Sequence, residues 1–256
     1  MIRNSGGEKR KRTSSRPSRM VLIACGVFAL MIAGLGRASA EEGIALALVY
    51  DTSGSMKDNV PTADGKYAPK YVIANRTLHS IINRISLFAT NANSAGTHRI
   101  ESGLFVFEGA GAREAVKFGS FDPVPLHSWV SRFSTPDGGT PLGNALSIAT
   151  RAVLTSPLTH KHVVIITDGV NTSGPKPETI MPELKQSASR AGAEVSFHFV
   201  AFDVDAKVFA PVKKLGATVL SASNEEQLNA QIGFIFEKRI LLEDEEPAKP
   251  APTQSK

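Results

Sequence analysis

From Glu41 onward the apolar residues alternate between unbroken aliphatic runs and stripes at helical spacing, a pattern that predicts strands and helices in turn. Ile44 to Tyr50 is a continuous apolar run of strand length, as expected for a strand covered on both faces. It stops abruptly in Asp51-Thr52-Ser53-Gly54-Ser55-Met56, a carboxylate followed by two spaced hydroxyls. Lys57 to Pro69 contains Pro61, Asp64-Gly65 and Pro69 and predicts a loop. Tyr71, Ala74, Leu78, Ile81, Ile82, Ile85 and Phe88 then share one helical face. Leu104 to Phe107 and Ala115 to Phe118, joined through Gly109 and Gly111, predict a hairpin at one edge of a sheet.

Between Phe121 and Gly139, Pro123, Pro125 and Pro136 are expected to break any long element and deliver the chain to Asp137-Gly138-Gly139-Thr140-Pro141. A second helical stripe follows at Leu142, Ala145, Leu146, Ala149 and Val153. His162 to Ile166 repeats the first pattern, an aliphatic strand that ends in Thr167-Asp168-Gly169. A helix from Pro177 to Ala191 stopped by Gly192, a strand from Val195 to Phe202, a short helix from Asp205 to Leu215 stopped by Gly216 and a strand at Thr218 to Leu220 come next. Ser223 with Glu226 predicts a capping box for a last helix that buries Leu228, Ile232, Ile235 and Phe236. This order predicts an α/β fold: a doubly wound, mainly parallel central sheet with helices on both faces and one antiparallel edge strand.

Charge changes the picture at the amino-terminal end. Residues 1–40 carry eight Lys and Arg and one acid, so of the formal +5 of the chain they hold +7, and the remainder is at −2. The basic balance therefore belongs to the leader, and a nucleic-acid-binding role for the globular part is excluded as an expectation. Residues 1–40 have the three parts of an export signal: a basic region through Arg19, an apolar run from Met20 to Gly36, and Ala38-Ser39-Ala40 before Glu41. Cleavage after Ala40 is expected, which predicts a periplasmic or secreted protein; an uncleaved leader would instead anchor it in the inner membrane, facing the periplasm. Cys25 is the only cysteine, and the short apolar stretch before it argues against lipidation. Residues 41–242 are expected to form one domain, and the acidic, Pro-rich residues 243–256 a disordered tail.

The candidate chemistry lies where the two aliphatic strands stop. Ligands bind open α/β sheets beyond the carboxyl ends of strands where the strand order reverses. If the strands ending at Tyr50 and Thr167 are neighbours there, Asp51 and Asp168 share a site, and Thr140 at a third loop tip reaches it. Asp51, Ser53 and Ser55 offer only oxygen, which suits a hard divalent cation. Each residue alone has a plainer reading: Thr140-Pro141 as a helix start, Ser55 as a helix cap, Asp168-Gly169 as a turn.

Taken jointly, Asp51-x-Ser53-x-Ser55, Thr140 after two glycines and Thr167-Asp168-Gly169 resemble the metal-ion-dependent adhesion site (MIDAS) of von Willebrand factor type A domains. The resemblance implies that Asp51, Ser53, Ser55, Thr140 and Asp168 bind a divalent cation. Magnesium is the expected ion, with manganese or calcium as alternatives. It further implies a protein partner whose acidic residue completes the metal shell, and a binding protein in place of an enzyme. The sequence lacks a Gly-x-Ser-x-Gly elbow, a Gly-x-x-x-x-Gly-Lys phosphate loop and a His-Glu-x-x-His pair. His160 and His162 fall at the far end of their strand and are expected at the surface. A metal-dependent hydrolase or phosphatase, or an envelope component with a purely structural cation, are the alternatives.

Overall fold

The computed structural model describes residues 41–90 and 98–241. The expected export signal and acidic tail lie outside the described residues. Strand β1 (Glu41–Tyr50) leads through a 3-10 turn (Gly54–Lys57) to a small hairpin, β2 (Asn59–Pro61) and β3 (Tyr67–Pro69), and then to α1 (Lys70–Thr90). After these come β4 (Ile100–Glu108), β5 (Gly111–Ser120), α2 (Pro123–Arg132), α3 (Leu142–Thr155), β6 (Leu158–Thr167) and α4 (Pro177–Arg190). The remainder comprises β7 (Val195–Phe202), a 3-10 turn (Ala206–Phe209), α5 (Ala210–Lys214), β8 (Thr218–Ala222) and α6 (Glu225–Ile235), which continues as a π turn (Phe236–Ile240). Among the described residues, no helix is long and apolar enough to cross a membrane.

Six strands form one sheet in the order β5-β4-β1-β6-β7-β8. All neighbours are parallel except β4 and β5, which are antiparallel, as the hairpin pattern predicts. From β1 the chain moves outward to β4 on one side and later to β6 on the other, so the reversal of strand order falls between β1 and β6. The edge strand β5 carries Arg113, Glu114 and Lys117, charges that discourage pairing with another chain.

The alternation of side chains along β1 explains the two layers. Leu46, Leu48 and Tyr50 face a core completed by Ile73, Leu78, Ile82 and Ile85 of α1, Leu126 and Val130 of α2, and Leu228 and Ile232 of α6. Ala45, Ala47 and Val49 face the other core, with Ala145, Leu146 and Ala149 of α3, Met181 of α4 and Val212 of α5. Alanines on both β1 and α3 let that helix lie close over the sheet centre.

Four expectations need correction. The segment from Lys57 to Pro69 is no open loop: β2 and β3 pair from Asn59–Pro69 to Pro61–Tyr67, and Val60 is buried in the α1 core. The stretch after Phe121 contains α2, because Pro123 and Pro125 sit in its first turn, where missing N–H groups cost nothing, and Asp122 caps it by accepting from Val124 N at 2.9 Å. The last helix is capped one residue later than expected, by Asn224 accepting from Gln227 N at 2.9 Å, while Gln227 Oε1 accepts from Ser223 N. His162 is fully buried, with Nδ1 3.2 Å from Nε2 of His198 on β7, so only His160, which bonds Glu42, is near the surface.

Burial makes both inner histidines harder to protonate: His162 is pushed well below its ordinary value, and His198 from 6.5 down to about 4. A histidine kept neutral in the fold but free to protonate when unfolded gives stability that is complete above pH 6.5 and is lost as pH falls towards 4. Relative to a His198→Leu variant, the wild-type protein is expected to lose about 3 kcal/mol over that window. Urea unfolding at a series of pH values checks this.

Candidate metal centre

The loop after β1 is held by its own polar groups. Asp51 N continues the strand ladder to Ile166 O at 3.0 Å, and Asp51 Oδ1 turns back to accept from Ser53 N at 2.8 Å. Thr167 Oγ1, at the end of the neighbouring strand, donates to Asp51 Oδ2 at 2.6 Å. Met56 is fully buried and pins the 3-10 turn to the core. Ser53 Oγ and Ser55 Oγ lie 3.2 Å apart, and Ser55 Oγ donates to Asp168 Oδ1 at 2.8 Å. Oxygen atoms from residues 113 apart in sequence are therefore in direct contact.

The third loop is tied to both others. Gly54 N donates to Gly138 O at 3.0 Å, and Asp137 N to Thr52 O at 2.8 Å. Thr140 exchanges two bonds with the loop after β6: its N donates to Thr172 Oγ1 at 2.7 Å, and its O accepts from Thr172 N at 3.0 Å. A Cβ placed on Gly139 would stand 2.7 Å from Thr172 Oγ1, so this clasp requires glycine there. Thr140 is buried, and its hydroxyl is directed at the turn after Asp168: a Cβ on Gly169 would lie 3.4 Å from Thr140 Oγ1. The α3 helix begins with Pro141 as its cap, without a side-chain cap bond, so Thr140 does not serve as the helix cap its sequence suggests.

All five singled-out residues are thus brought to one end of the sheet. Ser53, Ser55 and Asp168 are linked through their oxygens, Asp51 feels the charge of Asp168, and Thr140 Oγ1 lies beside Gly169; among the described residues no three His, Cys, Asp or Glu side chains assemble a metal cluster of their own. Neutral hydroxyls therefore make up much of the donor set, which fits a hard, oxygen-seeking cation. Asp51 carries the electrostatic strain. Burial, then repulsion from Asp168, pushes its carboxyl from 3.8 up to about 6, against the bonds from Ser53 and Thr167 that favour the charged form.

Sequence reasoning missed Lys70. Its Nζ lies 3.1 Å from Asp168 Oδ2, 2.9 Å from Asp203 Oδ2 and 3.8 Å from Asp58 Oδ2, with the side chain only 6% exposed. Burial works against its charge, but Asp203 and Asp168 outweigh that and raise its pKa above the ordinary lysine value. Two signals could have found this group. A lysine at the first position of a helix opposes the macrodipole, and Phe202-Asp203 is a third instance of an apolar strand ending in a carboxylate.

On the other side of the motif loop, Thr52 Oγ1 donates to Phe107 O at 3.1 Å and borders a cavity of about 520 Å³. Trp129, Phe133, Arg113, Arg132 and Asp137 also line it. Trp129 stacks on Phe133 at 4.9 Å and meets Tyr50 edge-on at 5.6 Å, so it is a half-buried wall of this cavity and packs on the core at the same time.

The family profile of the von Willebrand factor type A domain matches residues 45–229, a span that contains all five oxygen-bearing residues. Curated proteins provide no sequence match. Among solved structures, the chain is similar to the PilB minor pilin from Streptococcus sanguinis (17% identity, TM-score 0.59), the match covering 80% of this chain and 62% of the pilin. It is similar to the vWF domain of the type V pili tip protein Mfa5 from Porphyromonas gingivalis (12% identity, TM-score 0.56), covering 82% of this chain and 98% of that domain. Proximal thread matrix protein 1 from the mussel byssus, in a structure with a zinc-occupied MIDAS motif, aligns at 14% identity and TM-score 0.55 over 78% of this chain and 48% of its own. Likeness at these identities is likeness of fold.

The raised Asp51 pKa gives a signed prediction. A carboxyl whose folded value lies above its unfolded value costs stability as pH rises from 3.8 to 6, and the full cost persists above that. In an Asp51→Asn variant the amide oxygen would keep the bond from Ser53 N, and Thr167 Oγ1 can turn to Gly169 O, 3.2 Å away. In chelator, Asp51→Asn is therefore expected to exceed wild type by about 3 kcal/mol near neutral pH, with the gap closing as pH falls to 4. Denaturant unfolding of both proteins across that range measures it.

Proposed function

This chain belongs to the von Willebrand factor type A domain family, and on that premise we propose that it is an exported protein-binding module that engages its partner through a divalent cation. Asp51, Ser53, Ser55, Thr140 and Asp168 would hold the ion, with magnesium as the expected occupant and manganese or calcium as alternatives. The observation that carries this reading is the Ser55–Asp168 bond of 2.8 Å, which joins the two strand-end loops into one oxygen-lined site.

The chemistry follows from the donor set. Ser53, Ser55 and Thr140 present neutral oxygens, while Asp51 and Asp168 supply charge from the flanks. A cation held mainly by hydroxyls keeps an electrophilic position that takes a carboxylate from outside. Asp51 is oriented for this by Ser53 N and Thr167 Oγ1, and Thr140 by its clasp with Thr172. The cavity beside Thr52 gives the partner's neighbouring side chains an aromatic wall in Trp129 and Phe133. The partner is thus a protein with an exposed acidic residue, met in the periplasm or outside the cell.

Calorimetric titration of the full-length protein with Mg²⁺ is expected to show one site, absent in Asp51→Ala. A partner captured from envelope extract in Mg²⁺ is expected to elute with chelator, to rebind when Mg²⁺ is restored, and to be missing from an Asp51→Ala column. Thr140→Val should weaken capture more than it lowers the melting temperature. Capture that survives chelation would overturn the reading.

A further inference from the structure

We propose that Lys70 is a built-in counter-cation of this site: its ammonium competes with a divalent ion for Asp168 and so sets the cation affinity. The inference rests on the metal-binding reading above. Three carboxylates from three separate loops meet this one ammonium: Asp58 after the 3-10 turn, Asp168 after β6 and Asp203 after β7. The hairpin β2–β3 makes the meeting possible, because it folds the chain back so that Lys70 N donates to Asp58 O at 2.9 Å. Lys70 opens α1, where the positive end of the helix disfavours a cation, so the position is held by the acids and not by helix formation.

Asp203 adds an independent sign that the arrangement is built. Among the described residues it is the one non-glycine with a left-handed backbone, φ 56, fixed by Asp203 N donating to Ala222 O at 2.7 Å. Aspartate is one of the few residues with a Cβ that tolerate this conformation, and here it accompanies a carboxylate 2.9 Å from the Lys70 ammonium. Asp203 shares the ammonium with Asp168 and keeps it from belonging to the metal-site carboxylate alone.

The electrostatic consequence has a fixed sign. A unit positive charge bonded to Asp168 repels a divalent ion drawn to the same carboxylate, lowering affinity by at least about tenfold even at an effective dielectric of about 20. It also offsets part of the negative charge around a bound ion, which sharpens the demand for an external carboxylate. Lys70 thereby exchanges tight cation binding for tighter binding of the partner's acid.

The test is calorimetric titration with Mg²⁺, together with melting temperatures in chelator, on full-length wild type and three variants. Lys70→Met is expected to bind Mg²⁺ at least about tenfold more tightly while melting lower in chelator, since Asp168 then lacks its ion pair. Lys70→Arg keeps the charge and should stay within about threefold of wild type. Asp203→Asn should bind more weakly, because the ammonium is left to Asp168. Affinity unchanged or reduced in Lys70→Met, or unchanged or increased in Asp203→Asn, would overturn the competition. If Lys70→Met does not fold in chelator, Asp203→Asn and Lys70→Arg decide the matter alone. Wild type that binds no Mg²⁺, Mn²⁺ or Ca²⁺ would remove the metal-binding reading itself, an outcome separate from any difference among variants.

Discussion

Mutual repulsion between two carboxylates held out of water, Asp51 and Asp168, is the constraint on which this end of the molecule depends. Asp51 is fully buried and Asp168 is 6% exposed, so neither can be screened well by solvent. Like charges in such a setting cost free energy unless something answers them. Each surrounding group supplies part of that answer. Thr167 Oγ1 and Ser53 N stabilise Asp51, Ser55 Oγ and Lys70 Nζ stabilise Asp168, and what remains, burial first and repulsion from Asp168 second, pushes the Asp51 carboxyl up to about 6.

The scaffold that imposes this proximity is apolar. β1 and β6 pair in register from Ile44–His160 to Tyr50–Ile166, so the residues following them must emerge side by side. Seven consecutive buried residues in β1, Ile44 to Tyr50, fix that register on both faces, and a slip by one would place leucines where alanines admit α3. The site is positioned by hydrophobic packing far below it. The third loop is added by backbone bonds, Gly54 to Gly138 and Thr140 to Thr172, so the convergence does not depend on the charged groups attracting one another.

The sequence displayed most of this, for a physical reason. Strands buried on both faces leave long aliphatic runs, and helices on a sheet leave stripes, so the layer architecture and the edge hairpin were legible. Asp51 and Asp168 stood out because a carboxylate directly after such a run has few structural uses. What escaped notice depends on tertiary context. Pro123 and Pro125 break a helix in its interior but begin one when Asp122 caps it. His162 resembles a surface residue until β7 supplies His198 against it. Lys70 opens a helix against the macrodipole, but its two closest partners lie 98 residues away at Asp168 and further still at Asp203, so only the folded chain shows what holds it. The Lys57–Pro69 stretch has turn residues throughout, which conceal a hairpin whose anchor is the single buried Val60.

The arrangement holds more charge than a purely structural role requires. If these residues served only to hold three loops together, neutral bonds would be enough, and such bonds are present: Thr140 with Thr172, Gly54 with Gly138, Asp137 with Thr52. Buried like charges add nothing to that task and subtract from stability. A fold that keeps Asp51 and Asp168 within electrostatic reach of each other, assigns a buried lysine to one of them and brings a further aspartate to that lysine has gathered charge beside the place where its strand order reverses. Such an expense is expected where charge is used, and this is the charge arrangement that the proposed cation role requires.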